Sequence, residues 1–181
     1  MVNGLEKERV WDLEKLTNGE YAALRRAAGS VEMDVAAWRA FYKVDHLGDT
    51  GANERFTALC MSCLWWPTDE NEILPMEKCL RNLCWETVNG KYSLREGFAR
   101  RVDALLETRW SQDGYFQGKL LNLVKIIRSD DRRFKPDFEL LADDLRKWNY
   151  DSRTVQRRWL RTIYQNTSED DAIKEENEND A

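Results

Sequence analysis

The stretch RTVQRRWLRTIYQ, residues 153–165, brings an apolar residue round at every fourth position: Val155, Trp159 and Ile163. At 100° per residue these three share one side of a helix. Arg153, Arg157 and Arg161 form a stripe on another side, and Arg158 widens that arc. Such a segment is an amphipathic helix, with one face for a core and one cationic face for solvent.

Read outward from there, the same periodicity recurs along the chain. It predicts helices over residues 3–16, 19–28, 34–44, 53–66, 75–88, 94–109, 114–128, 137–148 and 153–165. Thr17-x-x-Glu20 and Ser93-x-x-Glu96 have the form of capping boxes, in which side chains satisfy the orphan N–H groups of a helix start. Gly29-Ser30, the loop His46–Gly51, Pro67, Asn89-Gly90 and Ser129–Asp131 separate the segments. No stretch shows sustained β alternation. Three prolines and nine glycines in 181 residues favour long helices over a turn-rich β protein. The fold expected is all-α: compact helical bundles in two packed halves, about eight or nine helices. The halves divide at Asn89-Gly90, giving residues 1–90 and 91–167. Residues 168–181 (SEDDAIKEENENDA) hold one apolar residue larger than alanine, Ile173, and are expected to be a disordered acidic tail.

Charge is segregated in the same way. Residues 91–167 carry 17 Lys+Arg against 11 Asp+Glu, a net of +6, inside a chain whose net charge is −5. Residues 1–90 sum to −5 and residues 168–181 to −6. Arginines come in pairs at 25–26, 100–101, 132–133 and 157–158. A clustered cationic surface suits a phosphate backbone whatever the overall charge. Acidic residues at i±4 are scarce in 153–165, so an external anion is the natural complement of that stripe.

Other chemistry fares less well. The N-terminal residues lack an apolar run of signal-peptide length, and no run approaches the roughly 20 residues a bilayer needs. A cytoplasmic location with reduced thiols is expected. Cys60-x2-Cys63 and Cys79-x4-Cys84 loosely resemble zinc spacing, but TALCMSCLWW has the composition of a buried helix, so core packing is the reading adopted. His46 is the sole histidine and has no nucleophile motif nearby. Asp143 and Asp144 are neighbours on a helix and point about 100° apart, so at most one faces any given site. Phosphate-loop, dinucleotide and zincin motifs are absent. No enzymatic activity and no cofactor are expected. Most of the eight tryptophans sit at helical spacing among Leu and Val, as core residues do, while Tyr115, Phe116 and Tyr150 are the better candidates for base stacking.

Several blocks together resemble the small subunit of type I-E CRISPR Cascade complexes. They begin with Asn18-Gly19, Ala22-x-Leu24-Arg25-Arg26 and Ala40-Phe41-Tyr42-Lys43-Val44. Arg100-Arg101-Val102-x-x-Leu105-Leu106 and Leu120-Leu121-x-Leu123-Val124 follow. Leu140-Leu141-x-Asp143-Asp144-Leu145-x-x-Trp148 and Val155-x-x-x-Trp159-x-x-x-x-Tyr164 close the match, which runs over about residues 11–165.

The resemblance implies a wholly helical, non-catalytic protein. Two copies of it line a crRNA-guided surveillance complex, brace the other Cascade subunits, and hold the displaced DNA strand of the R-loop through basic residues. It implies contacts from Arg25 and Arg26, which match a basic pair, from Arg55 at the opening of the middle helix, and from Lys119 ahead of Leu120-Leu121. The pair Arg100 and Arg101 matches the arginine-pair helix. Beyond Trp148 this chain has Tyr150-Asp151 where relatives carry a basic pair, and Arg153 and Arg157 stand in for it. Glu107 sits where a basic residue occurs in relatives. The other reading is a helical protein–protein adaptor whose basic faces meet acidic partner surfaces.

Overall fold

Thr17 opens the first α-helix of the structure, a computed structural model that describes residues 10–30, 32–66, 69–111, 113–130 and 133–165. The capping box expected there is complete: the Glu20 N–H donates to Thr17 Oγ1 at 3.3 Å, and the Thr17 N–H to Glu20 Oε2 at 2.8 Å. Helix α1 (Asn18–Ala27) buries Tyr21, Ala23, Leu24 and Ala27. Asp34 caps α2 (Val35–Val44), accepting from the Ala37 N–H at 3.0 Å. The remaining helices are α3 (Ala52–Ser62), α4 (Met76–Cys84), α5 (Glu96–Leu106), α6 (Tyr115–Asp130), α7 (Phe138–Lys147) and α8 (Thr154–Tyr164). Eight of the expected helices are therefore present, and the fold is predominantly helical.

Two expectations fail locally, each for a backbone reason. Of the helix expected over 3–16, residues 3–9 lie outside the described residues. The remainder forms only a 3-10 turn, Leu13–Lys15, because Trp11 pairs across an antiparallel bridge with Asp45 and cannot adopt helical dihedrals. The helix expected over 75–88 stops at Cys84, and Trp85–Val88 becomes strand β2, paired antiparallel with β3 (Lys91–Leu94). Asn89 and Gly90 have φ of 52° and 75°, the left-handed pair that a two-residue hairpin turn requires. Asn-Gly here is thus a hairpin turn and not a divider between helices. Ser93 lies in β3, so its capping box does not form; α5 begins at Glu96 with Arg95 in the cap position and no side-chain bond.

A second short pairing joins distant parts of the chain. Strands Glu72–Leu74 (β1) and Phe134–Pro136 (β4) run parallel in the register Ile73↔Lys135. Helix α3 packs along α7, and α4 along α8. Leu24, Phe41, Leu59, Met61, Leu80, Leu105, Phe116, Leu141, Trp148 and Trp159 belong to one continuous apolar core. All four cysteines are buried within it as free thiols. Burial pushes Cys63 up to about 11 and Cys79 and Cys84 up to about 12, so they pack as small hydrophobes.

At one end of this core the rings form a chain. Trp110 meets Phe116 edge-on at 5.4 Å, Phe116 meets Trp148 at 4.9 Å, and Trp148 meets Trp159 at 5.1 Å. Phe116 is therefore a core residue and does not offer its face to a base, whereas Tyr115 is 62% exposed. Two of the indole N–H groups find backbone carbonyls: Trp148 donates to the Thr108 carbonyl at 2.9 Å and Trp85 to the Ile163 carbonyl at 2.8 Å.

Glu20 has a further role, because Lys43 of α2 donates to it at 2.9 Å and ties α1 to α2. That bond, followed by those from Thr17, holds the Glu20 carboxyl down at about 2, against an ordinary value of 4.5. A depressed folded-state value means that this contribution is complete above about pH 4.5 and is lost as pH falls towards 2. Glu20→Gln is expected to flatten the stability–pH curve across that window. Unfolding curves of both proteins at several pH values check this; parallel curves would contradict it.

Candidate nucleic-acid interface

Helix α8 is fixed on three sides. On the α4 and α7 side, Arg158 Nε donates to Glu77 Oε1 at 3.1 Å, and its terminal nitrogen donates to Asp144 Oδ2. Trp159 Nε1 donates to the same Asp144 oxygen at 2.9 Å. Glu77 and Asp144 side chains are 8% and 4% exposed, while Arg158 is 44% exposed, so the guanidinium plugs two buried carboxylates from outside. Burial pushes the Asp144 carboxyl up, and the Trp159 N–H and Arg158 oppose that push.

Further along α4, Arg81 donates to the Thr162 carbonyl at 2.9 Å. On the α5 side, Arg153 donates to the Leu106 carbonyl at 3.2 Å and the Tyr164 hydroxyl to Asp103 Oδ1 at 2.8 Å. Both ends of α8 are thus tied to the C-terminal half of α5. What remains is an outward face of α8 holding Arg157, Arg161 and Leu160. Among the described residues, neither Arg157 nor Arg161 has a carboxylate partner.

The eight residues singled out from the sequence divide sharply in this structure. Arg55 is 7% exposed and grips Asp45 with two nitrogens, at 2.7 and 2.8 Å, while also donating to the Thr50 and Gly48 carbonyls. It braces the loop before α3 and presents little to solvent. Arg25 donates to the Cys63 carbonyl at 2.9 Å and lies 4.3 Å over the Trp66 ring, which anchors α1 to the end of α3. Lys119 donates to the Ala104 carbonyl at 3.0 Å and Thr108 Oγ1 at 3.1 Å, closing the C-terminal turn of α5.

Arg26, Arg100, Arg101, Arg153 and Arg157 are exposed. Arg100 has only a loose contact with Glu96 at 3.8 Å, and Arg101 leans over Phe98 at 5.7 Å. Arg153 and Arg157 lie one turn apart at the start of α8, and Arg100 lies on α5, from which Leu106 accepts the Arg153 bond. Arg26 stands apart on α1, which packs on α2 and α3. Arg153, with φ 47°, also lines a polar cleft of about 190 Å³ with Glu107, Arg109, Asn149, Tyr150 and Asp151.

Two of the consecutive pairs split their work. Arg25 is tied inward and Arg26 is free; Arg158 is tied inward and Arg157 is free. The 100° step between neighbours on a helix lets one face the interior while the other faces solvent, although Arg100 and Arg101 are both exposed. Two residues were missed by sequence reasoning. Arg161 was noted in the stripe but not singled out, although it sits one turn beyond Arg157. Trp66 is 50% exposed beside the buried Trp65, stacked with Tyr21 at 6.1 Å; the Trp-Trp doublet was the available signal, since both cannot face one core.

Fold and surface together define a predominantly helical protein with a scaffolded, unpaired cationic face. Among the described residues, no group of three or more His, Cys, Asp or Glu is placed to hold a metal, and no helix is long and apolar enough to cross a membrane. Comparison with known proteins gives the class a family. The sequence model of CRISPR-associated protein Cse2 matches residues 20–164, and the chain belongs to that family. A chain of a CRISPR RNA-guided surveillance complex superposes with a TM-score of 0.64 at 18% identity, over 84% of this chain and 86% of that one. CasB from M. ruber superposes with a TM-score of 0.62 at 16% identity, over 88% and 92%. No curated protein matches the chain.

The split between neighbours gives a direct test. Arg158→Met strands two buried carboxylates and is expected to lower stability by about 3 kcal/mol. Arg157→Met, one residue away, should change it by less than about 0.5 kcal/mol. Urea unfolding of the two variants checks this; equal losses would contradict the assignment.

Proposed function

We propose that this protein is the non-catalytic small subunit of a crRNA-guided type I-E Cascade complex. In this reading it works in the cytoplasm, braces the other subunits, and holds the displaced DNA strand of the R-loop by contacts that carry no sequence information. The observation behind the reading is the outward face of α8, where Arg157 and Arg161 stand on a rigid helix with no carboxylate among the described residues to neutralise them. Arginines in that state are complemented by phosphate, and such contacts position a strand without reading it. Arg153 extends the same face at the start of α8, and Arg100 and Arg26 add separate points of contact. Pairing between crRNA and target supplies the specificity. A second copy of the chain and the crRNA-bearing backbone of the complex are the further partners in this proposal.

The adaptor reading keeps one supporting observation. Val35 and Tyr42 are 59% and 55% exposed on α2, and Tyr42 continues an aromatic cluster with Trp38 and Phe56. Such a surface suits protein contact. Both roles fit one subunit, with α2 bracing and α8 holding the strand.

The test is the double variant Arg157→Glu/Arg161→Glu assembled into the complex. Assembly yield should be unchanged, while the displaced strand becomes more open to a single-strand nuclease. The slope of log affinity against log salt should fall by roughly 2, about one for each phosphate contact removed. Failed assembly with strand protection intact would favour the adaptor reading instead.

A further inference from the structure

Helix α8 holds no acidic residue anywhere in Thr154–Tyr164, and its outward arginines find no carboxylate among the described residues. Five residues after Tyr164 the composition inverts. Residues 168–181 carry seven carboxylates and one lysine, so they complement the α8 face in sign. We propose that the segment 168–181 docks in cis along the outward face of α8, over Arg157 and Arg161 and towards Arg153, as an intramolecular stand-in for the phosphate backbone.

Geometry permits this without strain. The face from Arg153 to Arg161 spans about 12 Å at 1.5 Å per residue. The chain from Gln165 to Ala181 reaches about 50 Å when extended, so it can turn back along the helix. Helix electrostatics favour the turn. Carboxylates crowded at the C-terminal end of α8 would meet the negative end of the helix dipole, whereas the flank offers the Arg157 and Arg161 guanidinium groups.

A tether this short holds the segment at an effective concentration of about a millimolar, which is enough to populate a contact built from weak exposed ion pairs. The same weakness makes the contact easy to displace with a long polyanion. Docking of this kind would screen α8 from stray nucleic acid and yield to a strand held nearby by other subunits. Its functional part rests on the strand-holding role proposed above; the docking itself does not.

The full chain with Ala181→Cys carrying a nitroxide tests the docking, since the four native cysteines are buried. Amide signals of residues 153–157 should broaden at about 50 mM salt and recover at about 1 M, where the screening length falls to about 3 Å. They should also recover when all seven carboxylates of 168–181 are replaced by amides. Equal broadening at both salt concentrations would reduce the effect to tethering and overturn the proposal. So would no broadening at 153–157, or broadening seen only when labelled and isotope-enriched chains are mixed, which would place the contact between copies.

A second arm measures binding of a labelled single strand at low salt. Neutralising the segment should tighten binding about threefold to tenfold. If the salt-sensitive broadening is present and the affinity is unchanged, the docking stands and the strand-holding role of α8 is what fails.

Discussion

Glu77 and Asp144 come from helices far apart in sequence and meet inside the protein, where a carboxylate left without a partner is costly. Arg158 reaches both from the surface, and the Trp159 indole N–H completes the shell around Asp144. Removing one partner from such a group leaves an uncompensated buried charge, so the arrangement tolerates one seating of α8 and no other. Once α8 is seated, Val155, Trp159 and Ile163 face the core. Arg157 and Arg161 then have nowhere to point but outward. The external cationic face is thus a consequence of an internal ion cluster.

The same logic runs through the other end of the molecule. Arg55 and Asp45 close the loop before α3, and Arg25 bonds the last turn of α3 while lying over Trp66. Basic residues here do two physically different jobs. Those with desolvated carboxylate or carbonyl partners fix the geometry of the helices. Those left over on the same helices supply the surface charge. A net charge of +6 over residues 91–167 does not distinguish the two, because a count of charges takes no account of burial.

Much of the architecture was legible in the amino-acid sequence. The period of α8 and the cap at Thr17 act through local sterics and local hydrogen bonds, so the sequence displays them. What stayed hidden was set from a distance. Trp11 is extended because it pairs with Asp45, and β1 exists because β4 lies beside it. The hairpin at Asn89-Gly90 carried a local signal that the apolar period of α4 overran. The candidate site was legible in the same limited way. The stripe on α8 could be read from spacing, but the partners of Arg25, Arg55, Lys119 and Arg158 lie on other elements and needed the fold.

The central claim is that burial of a partner, not position in a basic pair, decides which arginines meet nucleic acid. Residue-resolved modification by an arginine-selective dicarbonyl, followed by mass spectrometry, tests it on the free chain and on the target-loaded complex. The account predicts fast modification of Arg26, Arg157 and Arg161 in the free chain at about 1 M salt, where exposed ion pairs are screened, protection of Arg157 and Arg161 in the loaded complex, and slow modification of Arg55 and Arg158 in both. Arg158 reacting as fast as Arg157, or Arg157 and Arg161 remaining fully reactive with target bound, would contradict it.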